Sequence, residues 1–230
     1  PILAAAGDTA VLVQGLDLLA DGPGAAPVVA DVAGRLPHLA LALGADALVP
    51  AQLHGLARAA EQSGAGSVHL LVPRVCDAAE AAAVTELAAA MDGPVRTGVV
   101  LGCPRSLFQL DAIAATTGQR WVDLLALQAA TFGLPAGVLT AGQPLDGYLE
   151  RGLIGLDPRA GLDPSVAAML ERPGPGAWAG DFPGRPGLRL AGPISLDLVD
   201  QLYRLGARRF AVEMAEIRPF LLAVGRAAHR

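Results

Sequence analysis

Asp17 and Asp21 are the carboxylates whose setting most suggests chemistry: they stand four residues apart in a loop that continues Gly22-Pro23-Gly24 and follows a predicted strand ending at Gln14. The C-terminal ends of parallel strands are where α/β proteins assemble their sites. Gln14 adds an amide at that edge. Arg105 follows Pro104 at a predicted helix start after a second strand, a suitable place for a guanidinium to hold an anion. Each has an ordinary alternative. An aspartate in a Gly-Pro loop commonly stabilises a turn or caps a helix, and Arg105 can pair with Asp111 or another neighbour. His38, His54 and His69 show no triad or metal spacing, and His69 alternates within a strand like a packed residue. Arg208-Arg209 reads as a solvated pair. Cys76 and Cys103 form no CxxC motif and no metal-ligand spacing, so they are expected to be reduced core thiols. No GxGxxG or GxxxxGK[ST] motif supports nucleotide binding.

These residues must be positioned by a repeating pattern. Val68-His69-Leu70-Leu71-Val72 and Gly98-Val99-Val100-Leu101 are short apolar runs rich in Val and Leu, each soon followed by proline. Such runs read as strands buried on both faces. Between them, 77–91 is rich in Ala, Glu and Leu, with Asp77 as N-cap and Glu80 at capping-box spacing. Further strands are expected at 11–14, 121–127, 188–191 and 209–212, with a degenerate one near 34–38. Helices are expected at 49–62, 106–116, 163–171, 195–205 and 217–228, with a short one near 145–151. This alternation means a parallel sheet with helical crossovers, either doubly wound or closed into a barrel.

Composition narrows the class. The 230 residues are 53% hydrophobic, enough for one large core and a single domain over 1–230. No apolar run is long enough for a membrane span. A net charge of −5 and the lack of a basic stripe with interleaved aromatics argue against nucleic acid. A cytoplasmic protein is the default expectation.

Several segments taken together resemble the C-terminal barrel of phosphoenolpyruvate-utilising enzymes, which include enzyme I of the sugar phosphotransferase system, phosphoenolpyruvate synthase and pyruvate phosphate dikinase. Val11-Leu12-Val13-Gln14-Gly15-Leu16-Asp17 with Asp21 is similar to V-x-V-R-T-x-D-x-G-x-D-K. Pro50-Ala51-Gln52-Leu53 through Arg58-Ala59-Ala60 resembles the Q-L-R-A-I-x-R-A helix. The run from Val68 to Pro73 resembles I-M-F-P-M, and that from Gly98 to Pro104 resembles G-x-M-x-E-x-P. Val122-Asp123-Leu124-Leu125-Ala126-Leu127 is similar to V-D-F-F-S-I. Asp163-Pro164-Ser165-Val166 fits a P-x-V helix start. Ala191-Gly192-Pro193 falls where the family has C-G-E, and the stretch from Gly206 to Pro219 fits the closing G-x-x-x-F-S-V motif.

The resemblance implies a (β/α)8 TIM barrel, an Mg²⁺-dependent phosphotransferase ancestry and pairing into a homodimer. The departures fall on its chemistry. Gln14 replaces one phosphate-gripping arginine, and Leu36-Pro37-His38 aligns with the other, Arg35 lying one or two positions away. The metal-binding glutamate is Gly102, and the N-D pair falls on Ala130 and Thr131. The proton-donating cysteine falls on Ala191 and the glutamate after it on Pro193. Transfer from an enol phosphate needs a cation and fixed positive charge, and Mg²⁺ needs hard oxygen ligands, typically carboxylates. The expectation is a catalytically degenerate homologue with a binding, dimerisation or regulatory role, no metal and no cofactor. Its ligand would be a small anionic metabolite near Gln14, Asp17, Asp21 and Arg105. An active phosphotransferase or lyase using a displaced set of residues is the alternative. Pro1-Ile2-Leu3-Ala4-Ala5-Ala6 aligns with the tail of the family's first crossover helix, so the first barrel strand and most of the first helix are expected to be missing from this sequence.

Overall fold

The computed structural model describes residues 11–14, 45–64, 68–90, 95–134, 145–158, 160–172, 186–190 and 195–229. Six strands form one sheet: β1 (Val11–Gln14), β2 (Val68–Val72), β3 (Val95–Leu101), β4 (Gln119–Asp123), β5 (Gly187–Arg189) and β6 (Phe210–Ala211). Their spatial order is their chain order, and every pairing is parallel. Among the described strands the order does not reverse, as it would at a switch point of the doubly wound kind. Among the described residues β1 pairs only with β2 and β6 only with β5, so the sheet is not closed. The expected strand near 34–38 and the expected helix tail at the start lie outside the described residues.

The helices are α1 (Ala45–Ser63), α2 (Ala78–Ala89), α3 (Pro104–Phe108), α4 (Leu110–Thr116), α5 (Leu124–Thr131), α6 (Asp146–Glu150), α7 (Pro164–Glu171), α8 (Leu196–Arg204) and α9 (Ile217–Ala228). Two expectations are corrected. The apolar run 121–127 is not one strand: β4 stops at Asp123 and α5 starts at once, because the Asp123 carboxylate accepts the Ala126 N–H at 2.9 Å as an N-cap. The single helix expected over 106–116 is two short helices broken at Gln109, whose side-chain oxygen accepts the Ala78 N–H at 3.2 Å, at the start of α2. Elsewhere the boundaries agree to within a few residues, and α1 begins earlier than expected and carries Pro50 inside it.

The two faces of the sheet differ. Leu70, Val72, Val99, Leu101, Val122, Leu188 and Leu190 point to one face. There they pack with Leu53, Ala81, Val84, Leu107, Ile113, Leu127, Val166, Leu170, Leu198 and Leu202 from the helices. This is the main core, and period-two alternation along each strand produces it. The intervening residues Leu71, Val100 and Trp121 form a separate cluster with Ala211 against it. His69, Arg96, Gln119 and Arg209 share the parity of this second face, and the Arg209 guanidinium lies 4.3 Å from the Trp121 ring centre. Trp121 is 6% exposed although the main-core helices pack on the other face. Gly187 makes its space, and Gly98 makes room for Gln119 and Leu71 beside it. A Cβ at Gly187 would lie 2.4 Å from the Trp121 ring, and one at Gly98 would lie 2.6 Å from the Gln119 Cβ. Glycine inside a strand marks such close approaches.

Gly187→Ala is therefore expected to destabilise the protein by about 1–3 kcal/mol through overpacking. Denaturant unfolding measures this, and a Gly187→Ala protein as stable as the parent would contradict the packing of Trp121 across β5.

Candidate functional site

The C-terminal ends of β4 and β5 and the turns after β2 and β3 carry a group of polar side chains. After β2 the chain passes Pro73 and Arg74, and Arg74 adopts φ 59°, the left-handed region that non-glycine residues rarely occupy. This turn brings Val75 back beside β3, where its N–H reaches the Val100 carbonyl at 3.3 Å. Asp77 then opens α2. Its Oδ1 accepts the Glu80 N–H at 3.0 Å, while the Glu80 carboxylate accepts the Cys76 N–H at 2.7 Å. The capping box expected from the spacing is present, with the return bond made to the residue before the cap.

Arg105, one of the sequence candidates, sits in this group at the start of α3. Its guanidinium is 2.8 Å from the second oxygen of Asp77, and its side chain is 67% exposed. The expected partner Asp111 is not the one it takes. Asp123 has the same two-handed arrangement: Oδ1 caps α5, and Oδ2 accepts from Arg189 Nη1 at 3.2 Å across the β4–β5 pair. Both carboxylates thus hold a helix start with one oxygen and an arginine with the other. Sequence reasoning missed Asp123 and Arg189 as site residues. An aspartate heading an apolar run of helix-forming residues was the available signal.

Gln14 is the last residue of β1 and stands opposite Leu71 of β2 in the register. Asp17 and Asp21 lie outside the described residues, as do His38, Ala191 and Pro193. Gly102 directly follows β3, but a Cβ there would meet the Ala126 Cβ at 3.0 Å, since α5 starts so early. Thr131 lies in the last turn of α5, where its hydroxyl donates to the Leu127 carbonyl at 2.8 Å. About 10 Å of helix rise separates it from Leu124. Gly102, Ala130 and Thr131 therefore do not fit a divalent cation: they bring no carboxylate, and two of them sit along a helix instead of at a strand end. Among the described residues no group of three or more His, Cys, Asp or Glu side chains is placed to hold a metal.

Cys76 and Cys103 stand on the turns that follow β2 and β3, and the Cys76 thiol donates to the Arg74 carbonyl at 3.3 Å. Both are half-buried and free, which corrects the expectation of core thiols. Burial, the Cys103 contact and the nearby Glu80 and Asp77 carboxylates push the Cys76 thiol up to about 12.

The opposite end of the second face gathers basic side chains. Burial, then Arg96 and Arg209, lower the pKa of His69. Arg209 is lowered by burial and by Arg120. It is not the solvated residue expected: Nη2 donates to Gln119 Oε1 at 2.6 Å while the guanidinium stacks on Trp121. Its neighbour Arg208 is exposed, lies 3.5 Å over the Tyr203 ring and donates to the Tyr203 carbonyl at 2.6 Å.

Fold and site together define a parallel α/β protein with a polar C-terminal edge. Among the described residues no helix is long and apolar enough to cross a membrane. No family model matches the chain, and no curated protein matches it.

Two expected outcomes follow from this geometry. Asp123→Ala removes both the cap and the Arg189 partner and should cost about 1–3 kcal/mol, whereas Asp123→Asn keeps a capping oxygen and should cost less. Equal losses in urea unfolding would assign the stabilisation to the charge pair alone. Because the pKa of His69 is lower folded than unfolded, the unfolded chain binds more protons between those two values. Stability should therefore rise with pH through that window and level off above about 6.5, the ordinary histidine value. His69→Gln should flatten this segment of the stability–pH curve, and an unchanged slope would show that His69 does not cause it.

Proposed function

We propose that this protein is a catalytically degenerate homologue of the phosphoenolpyruvate-binding barrel, which binds a small anionic metabolite and transfers no phosphoryl group. The observation that carries the reading is the state of the carboxylates that open α2 and α5. Asp77 and Asp123 each cap a helix and neutralise an arginine, so neither presents a bare carboxylate to a metal ion. The helix start that occupies Asp123 also places Ala126 against Gly102, where the family carries its metal-binding glutamate. Arg105 and Arg189 keep positive charge at the same edge, 67% and 39% exposed, and exposed guanidiniums exchange an internal carboxylate for a ligand anion at small cost.

The barrel belongs to the same proposal. A sheet whose order follows the chain, with the main-core helices on one face, has the arrangement of consecutive staves of a (β/α)8 barrel. Crossovers of one hand that always step in the same direction leave helices on a single side. Pairing into a homodimer is part of the reading, supported by the family resemblance and by the exposed apolar side chains Met214, Ile217, Leu221 and Leu222 near the C-terminus.

Isothermal titration with phosphoenolpyruvate and with pyruvate, each with and without Mg²⁺ or Mn²⁺, tests the function. The expected result is anion binding that does not need the cation and that weakens severalfold in Arg189→Gln. Pyruvate release from phosphoenolpyruvate by the unaltered protein with Mg²⁺ would overturn it and favour an active enzyme with displaced residues. Light scattering tests the dimer, and a monomer at micromolar concentration would remove that part.

A further inference from the structure

The two cysteines lie in the turns after neighbouring strands, and the sheet register explains why they meet. β2 and β3 pair with an offset of 27 residues, Val68 opposite Val95 and Val72 opposite Val99, and the cysteines are separated by the same offset. Adjacent strands stand about 4.8 Å apart, within the Cα–Cα span of about 4.4–6.8 Å that a disulfide bridges. The chain does not run straight from Val72 to Cys76. It turns through Arg74 at positive φ and is brought back by the Val75–Val100 hydrogen bond. Beyond that turn the Cys76 thiol donates to the Arg74 carbonyl at 3.3 Å, and the Asp77–Arg105 ion pair at 2.8 Å ties the turn that carries Cys76 to the one that carries Cys103. Glu80 fixes the Cys76 backbone, and the Ser106 hydroxyl fixes that of Cys103 by donating to its carbonyl at 2.7 Å. Both cysteine residues are partly exposed.

We infer that Cys76 and Cys103 form a redox-modification site, a dithiol that a small-molecule disulfide of the oxidised-glutathione type converts to an intramolecular disulfide joining the β2–α2 turn to the β3–α3 turn. This inference is independent of the function proposed above. In the first step the Cys103 sulfur attacks one sulfur of the reagent. The reagent's S–S bond breaks, a mixed disulfide forms on Cys103, and one reagent thiol leaves with the proton that Cys103 gave up. In the second step the Cys76 sulfur attacks the Cys103 sulfur. The mixed disulfide breaks, the protein disulfide forms, and the second reagent thiol leaves with the Cys76 proton. Two protein thiols are oxidised and one external disulfide is reduced to two thiols. Cys76 is the resolving partner because burial and the carboxylates of Glu80 and Asp77 keep it protonated, with Arg105 drawn to Asp77 beside it. Closure then depends on a small thiolate fraction that grows with pH.

The test treats the reduced protein with oxidised glutathione, blocks remaining thiols with N-ethylmaleimide and reads the intact mass. The expected product has lost two hydrogens, carries no glutathione and no maleimide, and yields one cross-linked peptide pair containing Cys76 and Cys103. Its rate of formation should rise roughly tenfold per pH unit between about pH 7 and pH 9. Cys76→Ser should stop at a stable glutathione adduct on Cys103, and circular dichroism checks that this variant is folded. In the unaltered protein, two glutathione adducts or two maleimide adducts after treatment would overturn the inference, and neither result depends on a variant.

Discussion

An aspartate that ends a strand and starts a helix is the constraint on which the C-terminal edge depends. Asp123 takes the Ala126 N–H with one oxygen and the Arg189 guanidinium with the other. A cap of this kind contributes about 1 kcal/mol, but its geometric effect is larger. By fixing where α5 begins, it fixes where Gln128 stands. Gln128 is fully buried. Its amide donates to the Pro158 and Gly161 carbonyls at 2.6 and 3.2 Å, and its carbonyl accepts the Asp163 N–H at 3.0 Å. Asp163 in turn caps α7 by accepting the Ser165 N–H at 2.7 Å. One side chain at the end of β4 thus sets the loop before α7 and the start of α7 itself. A buried amide without these partners would cost about 1–3 kcal/mol.

The same early helix start governs what Gly102 can become. Ala126 in the first turn of α5 approaches the Cα of Gly102, so β3 leaves the sheet beside a wall instead of an open floor. Charge at this edge is handled in nearest-neighbour pairs, Asp77 with Arg105 and Asp123 with Arg189, each joining one βα turn to the next. At the other end of the second face, His69, Arg96 and Arg209 lie close enough for the arginines to disfavour a proton on the histidine. The sheet is therefore electrically uneven from end to end, balanced at its C-terminal edge and positive near its N-terminal one.

Much of the fold is legible in the sequence where a single physical signal dominates. The β2–α2–β3 unit is marked by apolar runs and by the Asp77–Glu80 capping box, and α7 by Asp163-Pro164. The misreading at 121–127 has a definite cause: an unbroken apolar run has the same composition as a buried strand or a buried helix, and periodicity cannot separate them. The hydrogen bond that decides it comes from a residue inside the run. The site was less legible because its parts depend on register. Arg105 was found, but its partner Asp77 is 28 residues away and becomes adjacent only once β2 and β3 pair. Arg189 meets Asp123 for the same reason across β4 and β5, and the cysteines are another such case. Asp17 and Asp21 lie outside the described residues, and Gln14 is placed by its strand alone.

Strand order that follows chain order also bears on how the protein is made. Among the described strands, from β2 onward each finds its pairing edge on the strand synthesised just before it. A ribosome releases about 5–20 residues per second, far slower than helices and short loops form. The sheet can therefore grow vectorially, one βα unit docking on the last while downstream chain is still in the exit tunnel. The newest strand is a moving edge whose open N–H and C=O groups are covered when the next one arrives, while among the described residues the outer edge of β1 has no strand beside it.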